Sequence, residues 1–158
     1  MEFNELNMMK KLLIVCFLFA LHTACEKEVV SPIPNFSVRL TLDLMGADRI
    51  LNGPSSFMVY TKPRIATEEG NLGFGGILVI NGIGEGLINL CAYDLACPNE
   101  VRRDIRIVPQ SSGLQAICPE CHAVFNIATG GAPESGSKYW LKRYNVIQTS
   151  DTRYLVTN

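Results

Sequence analysis

Residues 36–42 have the sequence Phe-Ser-Val-Arg-Leu-Thr-Leu, and apolar and polar side chains alternate through this stretch without interruption. Because successive side chains of a β-strand point to opposite faces, the alternation predicts a strand with one buried face. Similar pieces follow at residues 57–61, 77–81, 87–94, 104–108, 114–118, 140–146 and 154–157. No window of helical length carries an apolar stripe of 3.6-residue period. The sequence therefore predicts an all-β domain.

The spacers between these pieces have the composition of turns. The chain contains 13 Gly and 8 Pro, and many of them lie between the predicted strands. The segment Gly-Ile-Gly-Glu-Gly at 82–86 lacks the Lys-Ser/Thr ending of a phosphate-binding loop, so we expect a hairpin turn there. The adjacent acids Glu68 and Glu69 are expected in a solvated turn. A length of 158 residues leaves room for one such domain.

The charge balance excludes one class of partner. The chain has 14 Lys and Arg against 15 Asp and Glu, which gives a formal net charge of −1. The chain thus has no overall excess of positive charge to hold a phosphate backbone. We therefore expect no nucleic-acid partner.

The N-terminus has the pattern of an export signal. Lys10 and Lys11 precede an apolar run at 12–20, and the run ends in small residues before Cys25. The segment is too short for a transmembrane helix, which needs about 20 apolar residues. Its end, Ala24-Cys25, resembles a bacterial lipoprotein lipobox, which implies lipidation of Cys25 and an envelope protein on the periplasmic side or the cell surface.

The alternative for this segment is an ordinary secretory signal cut near Ala24. Either version predicts an exported chain with a signal peptide at residues 1–25. Residues 26–35 are charged and then interrupted by proline, which is typical of a tether between a membrane and a domain. The folded domain is expected at residues 36–158.

Four cysteines lie in the predicted domain, since Cys16 belongs to the signal and Cys25 ends it. One short loop contains Cys97-Pro98-Asn99, and a second contains Cys118 and Cys121, with a strand and a turn between them. Cysteines on two short loops that a hairpin brings together are typical of a metal site.

The sequence around these loops resembles the Rieske iron–sulfur family. The similarity covers roughly residues 74–157, and three stretches carry it, at 91–98, 118–131 and 133–144. It implies a small β-sandwich or barrel with a two-loop metal-binding subdomain, and loops around 97–99, 118–122 and 133–138. It also implies a [2Fe–2S] cluster and one-electron transfer to an unidentified redox or envelope partner, so the chain is expected to act as a carrier or binding domain rather than an enzyme.

The ligand positions depart from the family, in which each loop supplies one Cys and one His. Asn99 stands at the first-loop His position and Cys121 at the second. The resemblance thus implies a ligand set of Cys97, Asn99, Cys118 and Cys121. Cys91 and His122 are weaker candidates for a fourth ligand; Cys91 is expected mainly as a small buried side chain. Three thiolates would lower the potential below that of a His-ligated centre.

Other chemistries compatible with the cysteines stay open. Cys97, Cys118 and Cys121 could bind zinc with Cys91 or His122, since zinc accepts thiolate and imidazole ligands. The thiols could instead form a disulfide. The motif C-x-x-C-H at 118–122 also matches c-type haem attachment, and C-x-x-C a dithiol redox pair, but both normally involve a helix. The rival function is therefore a zinc- or disulfide-stabilised binding or structural module of the envelope.

Overall fold

The computed structural model describes residues 30–158. The predicted signal peptide of residues 1–25, with Cys16 and the lipidation candidate Cys25, lies outside the described residues, as do residues 26–29 of the predicted tether. Among residues 30–158, no helix has the length and apolarity needed to cross a membrane.

Ten β-strands make up the fold. Their bounds are β1 Arg39–Asp43, β2 Phe57–Tyr60, β3 Ile77–Asn81, β4 Leu90–Asp94, β5 Val108–Pro109, β6 Gln115–Ile117, β7 Val124–Asn126, β8 Ala132–Ser135, β9 Arg143–Gln148 and β10 Arg153–Thr157. Two single 3₁₀ turns, at Arg49–Asn52 and Ala66–Glu68, are the helical pieces of the described chain. The prediction of an all-β domain is confirmed.

The strands form two antiparallel sheets. The larger has six strands in the order β1-β10-β9-β4-β3-β2, and the smaller has four in the order β5-β6-β7-β8. The chain leaves the large sheet at the end of β4, builds the whole small sheet, and returns as β9 beside β4, where Ala92 pairs with Tyr144. The small sheet is therefore an insertion between two neighbouring strands of the large one.

Strands β3 and β4 lie between two apolar cores. Leu78 and Ile80 of β3 face the small sheet and pack with its Phe125, while Ile77 and Val79 face β1 and β10. All five residues of β3 are buried. This explains why β3 is continuously apolar where β1 alternates, because a strand covered on both faces has no solvent side.

The eight predicted pieces each overlap a strand, although 104–108 shares only Val108 with β5. Two strands, β7 and β8, lie outside these eight pieces, and β8 lies in the range that the resemblance assigned to the third loop. The sequence of β8, Ala-Pro-Glu-Ser, has a proline that cannot donate to a ladder, and it is tolerated because β8 is an edge strand. The predicted hairpin turn at 82–86 is confirmed, since it joins the antiparallel strands β3 and β4.

The expectation of a solvated Glu68 was wrong. Only 1% of Glu68 is exposed, and the same holds for Asp48. The Arg64 guanidinium lies between them, 2.7 Å from Asp48 Oδ1 and 3.0 Å from Glu68 Oε1. Tyr60 donates its hydroxyl to Asp48 at 2.8 Å. These acids are buried because Arg64, four residues before Glu68, compensates their charge.

The end of the predicted tether contacts the domain. Ile33 is buried, and Lys142 Nζ donates to the carbonyl oxygens of Ile33 at 3.2 Å and Pro34 at 2.8 Å. The chain is thus attached to the domain from residue 33 onward.

Candidate metal centre

Three thiols converge at one end of the small sheet. The Sγ atoms of Cys97, Cys118 and Cys121 all lie within 4.8 Å of one another, and that of Cys97 is 3.6 Å from that of Cys121. Cys97 and Cys118 are fully buried, and Cys121 is partly exposed. All four cysteines of residues 30–158 carry free thiols.

Two loops of the same local design present these thiols. In the first, the Cys97 N–H donates to Ile105 O at 3.1 Å and the Val101 N–H donates to Cys97 O at 2.9 Å. In the second, the Cys118 N–H donates to Ala123 O at 3.0 Å and the His122 N–H donates to Cys118 O at 3.1 Å.

In each loop, the backbone N–H of the residue four positions after the cysteine donates to the carbonyl oxygen of that cysteine and closes the loop. That residue has a left-handed backbone in both loops, with φ of 51° at Val101 and 58° at His122. A left-handed backbone conformation is rare for residues other than glycine, and it is especially costly for a β-branched residue such as Val101. Such conformations persist where the surroundings fix the chain, and they cluster at functional sites.

Asn99 joins the thiols to the third loop. Its Nδ2 donates to Cys121 Sγ at 3.3 Å and to Gly136 O at 2.8 Å, and its Oδ1 accepts from Ser137 Oγ at 2.7 Å. The amide oxygen that was expected as a ligand thus points to Ser137. In this arrangement Asn99 is a hydrogen-bond donor to the Cys121 sulfur.

The surroundings of Cys97 and Cys121 shift the pKa values of these two thiols in opposite directions. Burial raises the pKa of the Cys97 thiol to about 12. Burial also opposes ionisation of Cys121, but hydrogen bonds from the Ala123 N–H, the Asn99 amide and the two other thiols outweigh it and lower the pKa of Cys121. Cys121 therefore ionises at lower pH than Cys97.

The two weaker candidates lie apart from this cluster. Cys91 is buried in β4, paired with Ile80, and its Sγ lies 3.8 Å from a guanidinium nitrogen of Arg143. The expectation of a buried Cys91 is thus confirmed. His122 is exposed. Within residues 30–158, the group of mutually close ligand atoms contains neither side chain.

Sequence reasoning missed a buried carboxylate beside the first thiol loop. Asp94, at the end of β4, is fully buried and accepts four hydrogen bonds. They come from the N–H groups of Phe74 at 2.7 Å, Gly75 at 2.9 Å and Ala96 at 2.8 Å, and from Tyr144 Oη at 2.6 Å. Asp94 thereby fixes the residues that lead into Cys97. One aspartate at a strand end carries no signal that distinguishes it from a solvated one.

The donor set fits a metal that prefers sulfur. Three thiolates suit zinc or iron–sulfur centres, and an amide oxygen turned away from the cluster adds nothing to them. A [2Fe–2S] cluster needs four protein ligands, and Cys97, Cys118 and Cys121 could supply three of them. Haem attachment and dithiol exchange normally use a helix next to the C-x-x-C motif. Here strand β7, not a helix, follows Cys121.

Comparison with known proteins gives little. No family model matches the chain. A search of curated proteins gave no match either. Among solved structures, one chain of the "complex of reduced oxygenase and oxidized ferredoxin in carbazole 1,9a-dioxygenase" is similar, with a TM-score of 0.45 and 15% identity, covering 77% of this chain and 94% of that chain. At this level of similarity, nothing about the function of the present chain follows.

Proposed function

We propose that the protein is a Rieske-like one-electron carrier whose iron–sulfur centre, a [2Fe–2S] cluster, is held by Cys97, Cys118 and Cys121. The observation that supports it is the convergence of three thiols from two loops at one end of a separate small sheet. When bound, the group would supply reversible one-electron chemistry. The partner would be a redox protein that docks at this end of the domain.

The residues around the thiols suit this role. Cys97 and Cys118 are fully buried and would shield the centre from solvent, while the partly exposed Cys121 marks the side from which a partner can approach. The Asn99 amide donates to the Cys121 sulfur. Hydrogen bonds to cluster sulfurs raise a reduction potential, so Asn99 would offset part of the lowering that a third thiolate causes.

The visible absorption spectrum tests the proposal. The chain is produced in an iron-replete host, purified anaerobically and measured before and after dithionite. We expect broad charge-transfer bands that bleach on reduction, and their loss in Cys121→Ser. Cys91→Ser is the matched control, because Cys91 is a buried cysteine outside the cluster, and its spectrum should stay unchanged. A colourless protein with iron available would refute electron transfer.

A structural zinc site is the second candidate, and the compactness of the cluster favours it. In a tetrahedral site with Zn–S bonds of about 2.3 Å, sulfurs lie about 3.8 Å apart. The 3.6 Å between Cys97 and Cys121 is close to that value. If this candidate is correct, the purified protein is colourless and contains one zinc ion per chain. The Cys118→Ser variant should lose the zinc and unfold at a lower temperature.

We also propose that the chain is exported and anchored through Cys25. The support is the sequence of the signal and its lipobox-like end. Labelling with a radioactive fatty acid in a bacterial host tests it. The label should be incorporated into the native chain and be absent from Cys25→Ala; labelling that persists in the variant contradicts the proposal.

A further inference from the structure

A cavity of about 430 Å³ lies beside the first thiol loop. One wall is the glycine-rich segment 70–76 that precedes β3. The other wall comes from the connection between Cys97 and β5, which contributes Arg103 and Arg106. A cavity of this size falls within the range of small-molecule sites.

Both arginines lack an acidic partner. In the part of the chain that the structure describes, salt bridges engage Arg64 and Arg102, and none engages Arg103 or Arg106. Glu68 also lines the cavity, but both its carboxylate oxygens accept from Arg64. Neither guanidinium at this cavity therefore forms a salt bridge within residues 30–158, although Asp104, which pairs with Arg102, lies close enough to Arg106 to feel its charge.

The Arg103 guanidinium is held in place by aromatic rings. It lies 4.2 Å from the Phe36 ring centroid and 5.0 Å from that of Phe74, and the two rings are 5.5 Å apart. This packing occupies the flat face of the guanidinium. Its N–H edge makes no hydrogen bond to residues 30–158, so the edge is left for a ligand.

Arg106 is fixed by its backbone and by one hydrogen bond. Its Nε donates to Gly75 O at 2.6 Å, and its terminal nitrogens have no acceptor within the described chain. Aromatic packing holds the Arg103 guanidinium, and the Nε hydrogen bond holds that of Arg106, so the remaining N–H groups of both are free within residues 30–158. Two such N–H groups on one guanidinium can bind two oxygens of a carboxylate or phosphate group.

We infer that this cavity binds a small oxyanion, the carboxylate or phosphate group of a small molecule, through Arg103 and Arg106. The rings of Phe36 and Phe74 offer apolar contact to the body of such a ligand. The site is independent of any metal at the thiols. The cavity nevertheless adjoins the thiols. Ile105, which lies between the two arginines in sequence, accepts a hydrogen bond from the Cys97 N–H through its carbonyl oxygen. Ala96, the residue before Cys97, forms a backbone β-bridge with Arg106.

Titration of the ¹⁵N-labelled full-length chain with inorganic phosphate and, separately, with benzoate tests the inference by amide chemical shifts. We expect saturable shifts at Phe74, Gly75 and Gly76. In Arg103→Gln and Arg106→Gln the affinity should fall about tenfold or more, since each removes a charge-assisted pair of hydrogen bonds. Tighter binding of benzoate than of phosphate identifies a carboxylate ligand with an apolar body, and the reverse order a phosphate.

Two further variants keep the test decisive. Arg102→Gln is the matched control, because Arg102 pairs with Asp104 and does not line the cavity, and it should bind like the native chain. Arg103→Lys retains the charge without the planar edge and should bind with intermediate affinity. Shifts that do not saturate, or equal affinities in the native chain and both glutamine variants, would overturn the inference.

Discussion

Replacing Asp94 by Asn should loosen the attachment of the first thiol loop. The substitution keeps the shape of the side chain but exchanges one acceptor oxygen for an NH₂ group. Placed toward Phe74 and Tyr144, that group can donate to the tyrosine hydroxyl but leaves the Phe74 N–H without an acceptor. A buried unpaired donor costs about 1–3 kcal/mol, and loss of the charge weakens the remaining bonds, so we expect about 3 kcal/mol of destabilisation in total.

Urea denaturation followed by the fluorescence of Trp140, the single tryptophan, measures this loss. With a slope of about 2 kcal/mol per molar urea, the midpoint should fall by about 1.5 M. Tyr144→Phe removes one of the four bonds and should shift the midpoint less. Asp104→Asn is the control, because Asp104 is an exposed aspartate, and it should leave the midpoint unchanged. Equal midpoints for Asp94→Asn and Asp104→Asn would refute the role given to Asp94.

Three other outcomes follow from buried groups. Burial raises the pKa of three tyrosines, so above about pH 10 the folded chain keeps protons that the unfolded chain loses. Each of these tyrosines should therefore reduce the free energy of unfolding by about 1.4 kcal/mol per pH unit above about pH 10. Equal urea midpoints at about pH 9 and about pH 11 contradict this. These tyrosines are Tyr60, Tyr93 and Tyr144. Arg64→Met leaves two buried carboxylates without their cation and should cost about 3–5 kcal/mol, seen as a lower melting temperature; an unchanged melting temperature would show that the ion cluster contributes nothing. Gly113→Ala places a Cβ 1.7 Å from the Ser55 carbonyl oxygen and should destabilise far more than Gly70→Ala, whose Cβ meets nothing within 4 Å; equal midpoints of the two variants would exclude the clash.

The strands were predictable where side-chain periodicity reports burial. β1 alternates because one face is solvated, and β3 is continuously apolar because both faces are covered. β8 was not predictable, because its pairing depends on neighbouring β7 and on its place at a sheet edge rather than on its own residues. The burial of Glu68 was not predicted although its partner Arg64 lies only four residues earlier, because the cluster around Arg64 also requires Asp48 and Tyr60, which lie farther away along the chain.

At the site, the sequence identified the cysteines but could not give the direction of a side chain. Asn99 was expected to offer its oxygen to a metal. The structure turns that oxygen to Ser137, a contact between residues 38 positions apart. Asp94 escaped notice because three of its four hydrogen bonds come from backbone N–H groups, which every residue except proline has.

The left-handed residues that close the two thiol loops bear on how the proposed metal would reach the buried sulfurs. A non-glycine residue in this conformation stores about 1–2 kcal/mol, and that energy is released when its loop opens. The thiol loops contribute to one of the two cores, so opening a loop leaves the other core, between β3 and strands β1 and β10, packed and requires only part of the free energy of global unfolding. The backbone strain at Val101 and His122 thus favours brief local opening of a folded domain, which the proposed metal would need in order to reach the buried sulfurs.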